Sequence, residues 1–341
     1  MAMRYSIIFN QKLFTMRVLI LFISLILFSV SSCNKDEDNQ PASGDYKQEM
    51  RNIVQGISIY AKGINTSFQI IPQNGHNLIT FDGEENGTPN TKYMAAIDAV
   101  GREDLYYGYE NDDASTPLAD TEEMIPFLDI CRQNNVPVLV TDYCFTHSKM
   151  DDSYRKNSAK GYISFAAPER DLNVIPNYPA ERSNVNSSDI NTCNDAKNFL
   201  YLINSENYST KQEFINAITA TNYDIVLIDY AFNEEVYTSS EINSMKIKNN
   251  GGKRLIISYM SIGEAEDYRY YWQNDWKTGS PEWLDKVNPD WAGNYKVKYW
   301  MDEWQSIIYG NDSSYLKKIL DAGFDGVYLD IIDAFEYYEE N

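Results

Sequence analysis

Acidic residues recur in this chain directly after short apolar runs. "DGVYLD" ends in Asp330 and is followed by Asp333, "DIVLIDY" delivers Asp229, and "SYMSIGEAE" delivers Glu264 and Glu266. A carboxylate at the end of a buried strand is held by the strand yet faces the solvent, as acid–base chemistry requires. Two carboxyl groups astride one bond are the minimum for cleaving a glycoside. One gives a proton to the leaving oxygen and the other attacks or activates water, at separations of about 5 Å or roughly 6.5–9.5 Å. Asp330, Asp229 and Glu264 are the first choices for such a pair. The 27 Tyr and 6 Trp offer flat faces on which sugar rings can lie. Tyr143, Tyr259, Trp272 and Trp300 are the candidate platforms, with Gln73, Asn74, Glu110, Asp142, Glu266 and Asp333 as polar contacts. Plainer readings stand beside these: Asp330 can hold loop amides, Glu264 can cap a helix, and Arg269 can pair with a neighbouring acid.

Other chemistries are disfavoured. Only two histidines exist, His76 and His147, too few for most histidine-based metal sites or for a Ser-His-Asp triad. Cys131, Cys144 and Cys193 lack the spacing of a disulfide framework or a zinc site. No phosphate-cradling glycine motif appears, so no cofactor is expected.

The elements that would carry these acids are short. Eight apolar or β-branched runs are strand candidates: 68–74, 104–110, 136–143, 161–167, 224–230, 254–264, 294–300 and 325–330. Several are apolar throughout, as in parallel strands covered on both faces. Helical patterns alternate with them, including "ADTEEMIPFLDICRQN", "STKQEFINAITATN", "SSEINSMKIKNNGG" and "SSYLKKILDAGF". Residues 168–208, rich in Asn, Ser and Pro, read as an irregular excursion. The pattern predicts an α/β fold, a single (β/α)8 barrel over residues 45–341, with an open doubly wound sheet as the alternative. Residues 45–62 form an amphipathic helix with Met50, Ile53, Val54, Ile57 and Tyr60 on one face. In a closed barrel that helix can take the place of the one expected after the eighth strand.

The beginning of the chain reads as a leader. Arg17 precedes an apolar run, Val18 to Val30, and then Ser31-Ser32-Cys33. The run is shorter than the roughly 20 residues that span a bilayer. This order is that of a secretory signal, residues 1–33, and it resembles the lipobox of bacterial lipoproteins, with Cys33 as the lipidation site. Met16 is an alternative start. Residues 34–44 read as a flexible tether whose "KDED" resembles the acidic export tag of surface lipoproteins. The expectation is a lipid-anchored protein at a bacterial outer membrane or cell surface, in contact with membrane through its lipid only. The net charge is -21, and removing the three basic residues of 1–33 (Arg4, Lys12, Arg17) gives -24. Such a chain repels nucleic acid and favours cationic ligands.

"YDIVLIDYAF", "GGKRLIISYMSIGEAEDYRYYW", "PEWLDKVNPDWAGNYKVKYW" and "GFDGVYLDIIDAFEYY" resemble glycoside hydrolase family 114, a barrel family that includes endo-α-1,4-polygalactosaminidases. "IIPQNG" and "AAIDAVGREDLYYGYE" resemble it too, but here they precede the other blocks, so the chain resembles a circular permutant. The resemblance implies a hydrolase acting on galactosamine-containing, cationic polysaccharide, with Asp330 on the family's "DGV-x-x-D" aspartate. It also implies a glutamate at the end of the next strand in the ring, where this chain has Gln73 and Asn74. The second carboxylate is then left to Asp82, Glu84, Glu85, Glu110 or Glu264. A non-catalytic glycan-binding barrel is the alternative.

Overall fold

The computed structural model describes residue 41, residues 44–180 and residues 183–341. Residues 1–33, Cys33 among them, and nearly all of the tether 34–44 lie outside the described residues. Eight parallel strands carry the site: β1 Gln69–Pro72, β2 Val100–Glu103, β3 Val138–Tyr143, β4 Ile163–Ala167, β5 Phe199–Tyr201, β6 Ile225–Ile228, β7 Leu255–Ser261 and β8 Gly326–Asp330. They form one sheet in the order β1-β8-β7-β6-β5 and another in the order β2-β3-β4. A parallel bridge from Gln73 to Gly101 joins β1 to β2. Between β4 and β5, the rings of Phe165 and Phe199 lie 5.6 Å apart. The fold is α/β with parallel sheet. Both faces of the strands are covered, so β1, β3, β5, β6 and β7 are buried at every position.

Six of the eight predicted runs are strands in this set, and two are not. Residues 104–110 are a loop, because Asp104 and Gly108 turn into positive φ (58° and 114°) and break the extension; the strand lies just before, at β2. Residues 294–300 contribute Asn294–Val297 to a separate antiparallel sheet, between Glu264–Glu266 and Leu284–Val287. The remaining parallel strand, β5, comes from the stretch read as irregular. Its five-residue apolar run, Phe199 to Ile203, closes a long polar stretch, and a run that short does not separate strand from loop.

Helices follow most strands, and the predicted ones are present: Tyr46–Ile64, Leu118–Gln133, Lys211–Thr219, Ser239–Met245 and Tyr315–Ala322. Asp45 caps the first of them, accepting from the Gln48 amide at 2.9 Å. Met50, Ile53, Val54 and Ile57 are fully buried there, as the spacing predicts. This helix packs on Tyr315–Ala322 and on a two-turn helix that follows β8, Ala334–Glu340. Lys47 pairs with Glu339 across that contact.

One buried ion pair fixes the opposite end of the strands. Lys248 and Asp224 meet at 2.9 Å with fully buried side chains. Lys248 also donates to the Asn186 and Ser188 carbonyls, and Asp224 accepts from Asn186 and the Lys197 amide. Removing one partner leaves an uncompensated buried charge. Lys248→Met is therefore expected to destabilise the fold by about 3–5 kcal/mol, read as a lowered urea midpoint at unchanged slope. A loss below about 1 kcal/mol would show that water or a neighbour replaces the ammonium.

Candidate active site

Side chains on alternate strand positions share a face. On β8 this puts Tyr328 and Asp330 together, and on β2 Gly101 and Glu103. Gly101 is a requirement of the site, because a Cβ there would lie 2.0 Å from the Tyr328 hydroxyl. The Tyr328 phenol thus crosses the space between the strands, below the two acids. Tyr201 of β5 packs edge-on against it, with centroids 5.2 Å apart, and donates to Gln73 Oε1 at 3.1 Å.

Glu103 is held by three donors from two strands. Gln73 Nε2 donates to Oε2 at 2.5 Å, Asn74 Nδ2 to the same oxygen at 3.4 Å, and the Tyr143 hydroxyl to Oε1. The Glu103 amide donates to Asn74 Oδ1 at 3.2 Å, so Asn74 grips side chain and backbone together. Asp330 accepts from the Tyr259 hydroxyl at 2.6 Å. Three strands leave this point through left-handed residues: Asn74 after β1, Asp104 after β2 and Ile331 after β8, with φ of 60°, 58° and 57°. Asn and Asp tolerate that region. A β-branched isoleucine does not, so Ile331 is backbone strain stored beside the acid.

Asp330 acts on the charge of Glu103. Burial pushes the Glu103 carboxyl up to about 7, and the negative charge of Asp330 adds to the rise while the Tyr143 hydrogen bond opposes it. Burial also raises Asp330 above the ordinary carboxylate range, with the Tyr259 bond offsetting part of the rise. Asp333, three residues beyond Asp330, is likewise pushed up to about 7, by burial and then by Asp330 and Glu336. A carboxyl raised to about 7 can hold a proton and give it up near neutrality, which is the part of the general acid in glycosidic cleavage.

Asp229 and Glu266 sit in an ion-pair network beside Asp330. Arg269 donates to Asp229 at 2.8 Å and to Glu266 at 2.6 Å, and the Tyr268 hydroxyl also donates to Glu266, at 2.7 Å. Both Arg269 and Glu266 are nearly inaccessible. Asp229 borders a cavity of about 800 Å³ lined also by Arg269, Tyr230, Tyr268, Tyr270 and Trp272. A second cavity of about 330 Å³ is lined by Asn74, His76, Arg102, Tyr109, Asp333 and Glu336, among others.

Of the other expected residues, Glu264 stays within reach of Asp330, whose charge adds to the rise that burial imposes on its carboxyl, and the rest scatter. Glu264 is 1% exposed and accepts from Asn288 and Asn294 at 2.9 and 3.2 Å, within the antiparallel sheet. Asp142 is fully buried and accepts from the Tyr106 and Tyr107 amides, Ser153 and Asn157. Those partners occupy its lone pairs and make it a tie between β3 and the loop after β2. Glu110 is exposed in that loop, not at a strand end. Trp272 lines the large cavity, with Tyr295 4.7 Å away. Trp300 instead packs among Tyr46, Tyr299 and Tyr338. Sequence reasoning passed over Glu103, Tyr201 and Tyr328. Among the described residues, no group of three or more His, Cys, Asp or Glu is arranged to hold a metal.

Asp330 closes a strand that the sequence matches to known proteins. Residues 180–341 match the family model of glycoside-hydrolase family GH114. The GH114 match includes β5 to β8 and Asp330, while β1 to β4, with Glu103, precede it. An uncharacterized protein of Methanocaldococcus jannaschii is 45% identical over 137 residues, 39% of this chain and 37% of its own. An uncharacterized protein of Thermotoga maritima is 42% identical over 123 residues, 36% of each chain. One of Deinococcus radiodurans is 36% identical over 128 residues, 38% of this chain and 39% of its own. The aligned segment thus spans little more than a third of each of these relatives.

Proposed function

We propose that this protein is a glycoside hydrolase in which Glu103 is the general acid and Asp330 the ionised partner, nucleophile or base. The observation that carries the reading is the Glu103 carboxyl, held by Gln73, Asn74 and Tyr143 and pushed up to about 7 by burial and by Asp330. Gln73 and Asn74 had argued for a binding-only barrel, since they stand where an acid was expected. Their hydrogen bonds to Glu103 support the hydrolase reading instead, since a carboxyl on the adjacent strand is there for the amides to orient.

The remaining parts of the reading are proposals with separate supports. A closed (β/α)8 ring is supported by the Gln73–Gly101 bridge on one side and the Phe165–Phe199 contact on the other. Circular permutation is supported by the order of the family-like blocks, with the family match confined to residues 180–341; the parallel pairing of β1 with β8 is what any closed barrel requires. A cationic, amino-sugar polysaccharide is supported by the net charge of -21 and by the acids bordering both cavities. Surface anchoring through Cys33 rests on the lipobox-like sequence alone. The test is incubation of the purified protein with α-1,4-linked galactosamine polymer and with its N-acetylated form. New reducing ends are expected, faster on the free amine. No reducing ends from either polymer across roughly pH 5 to 8 would overturn the hydrolase reading.

A further inference from the structure

Three consecutive strands deliver a chain of contacts that ends on Glu103. Glu103 closes β2, Tyr143 closes β3, and Arg170 follows β4 by three residues. The Arg170 guanidinium lies 3.9 Å from the centroid of the Tyr143 ring. Tyr143 is 2% exposed, and its hydroxyl donates to Glu103 Oε1. Arg170 is itself fixed at every edge of its planar group. It donates to Asp104 at 3.1 Å, to Asp112 at 2.7 Å and to the Gly108 carbonyl at 2.7 Å. Gly108 lets the loop come this close, because a Cβ would lie 2.2 Å from Asp104 and 3.0 Å from both Arg170 and Tyr143. A guanidinium with all its fork occupied and its face on an aromatic ring has little freedom left, and neither has the ring.

We propose that Arg170 is a positioning residue for Glu103: it clamps the Tyr143 ring, and through the Tyr143 hydroxyl it sets where the Glu103 carboxyl sits and how firmly that carboxyl keeps its proton. The inference rests on the Glu103–Asp330 reading above. The groups that face Glu103 are Asp330 and Tyr328 from β8, Tyr201 from β5, Tyr143 from β3, Gln73 and Asn74 after β1, and Arg102 and Asp104 on its own strand and loop. Of these, Arg170 touches Tyr143 and Asp104. Without Arg170 the Tyr143 bond that favours the ionised carboxylate weakens, and the Asp104 charge loses its partner. Both changes favour the protonated form, so the Glu103 midpoint must rise.

The test titrates Glu103 by carbon NMR of glutamate-labelled protein, the signal being assigned by its loss in Glu103→Gln. Arg170→Gln is expected to raise the midpoint by about half a pH unit or more. Tyr143→Phe, which removes only a hydroxyl, is expected to shift it the same way. In a Tyr143→Phe background the added effect of Arg170→Gln is expected to be smaller. The inference is overturned if Arg170→Gln leaves the midpoint in place, if Tyr143→Phe does so, or if the Arg170→Gln shift is undiminished without the hydroxyl. A merely structural arginine would lower the melting temperature without moving this midpoint. The titration needs no substrate, so a failure to find glycan hydrolysis leaves it decisive. Where hydrolysis is found, the alkaline limb of kcat/KM is expected to move up by the same amount.

Discussion

Glu103→Gln is expected to lower turnover of an unactivated glycan by about 10³-fold, within the range that a positioned general acid contributes. The leaving sugar oxygen departs as an alkoxide unless it is protonated as the bond breaks, and an amide has no proton of suitable acidity to give. The same variant is expected to lose far less on an aryl glycoside whose phenolate leaves unaided. That contrast separates a missing acid from a damaged site. Glutamine also changes the local hydrogen bonds. Gln73, Asn74 and Tyr143 all donate toward the carboxylate, so the new NH2 must displace one of the amides or turn the Tyr143 hydroxyl from donor to acceptor. A melting curve and a KM within about threefold of the parent would show that the pocket survives that exchange. Parent-like turnover on the unactivated glycan would remove Glu103 from the mechanism.

The sequence carries β8 and its aspartate plainly, because "DGVYLD" is apolar to its end and the acid follows without a break. β3, β6 and β7 are legible for the same reason. Glu103 was hidden by its neighbours. β2 is only Val100–Glu103, of which a glycine and two charged residues make up three positions, while the aromatic run from Leu105 to Tyr109 looks more like a strand. What turns that run into a loop is positive φ at Asp104 and Gly108, together with the Arg170 clamp from 62 to 66 residues away. Long-range contacts of this kind leave no local pattern. The signal that existed was Ala99-Val100 before a glycine, an arginine and two acids, and the Gln73–Gly101 bridge explains why so short a strand is stable there. Asp229 and Glu264 show the converse. Their place after apolar runs is visible in sequence, and so is Arg269 as a partner for a nearby acid, but which acids it takes and the Asn288–Asn294 pair that holds Glu264 are not.

Asp330→Asn is expected to remove activity on activated and unactivated substrates alike, by about 10⁴-fold or more, since no leaving group compensates for a missing nucleophile or base. A second consequence can be read without turnover. The ionised Asp330 is one cause of the raised Glu103 midpoint, so a neutral asparagine must let Glu103 titrate below its value of about 7. The direction extends to stability. A carboxyl whose folded-state midpoint lies above its unfolded one binds protons on folding. Its contribution is full below the ordinary carboxylate range and is lost as pH rises through the folded value. Glu103 and Asp333, both pushed up to about 7, give the parent a stability that declines from roughly pH 4 to pH 7. Asp330 raises both groups, so Asp330→Asn should flatten that decline and raise the melting temperature at the alkaline end. A variant that loses activity but keeps the parent slope and the Glu103 midpoint would mean that the two carboxyls are not electrostatically coupled, and that the division of acid and base between them is wrong.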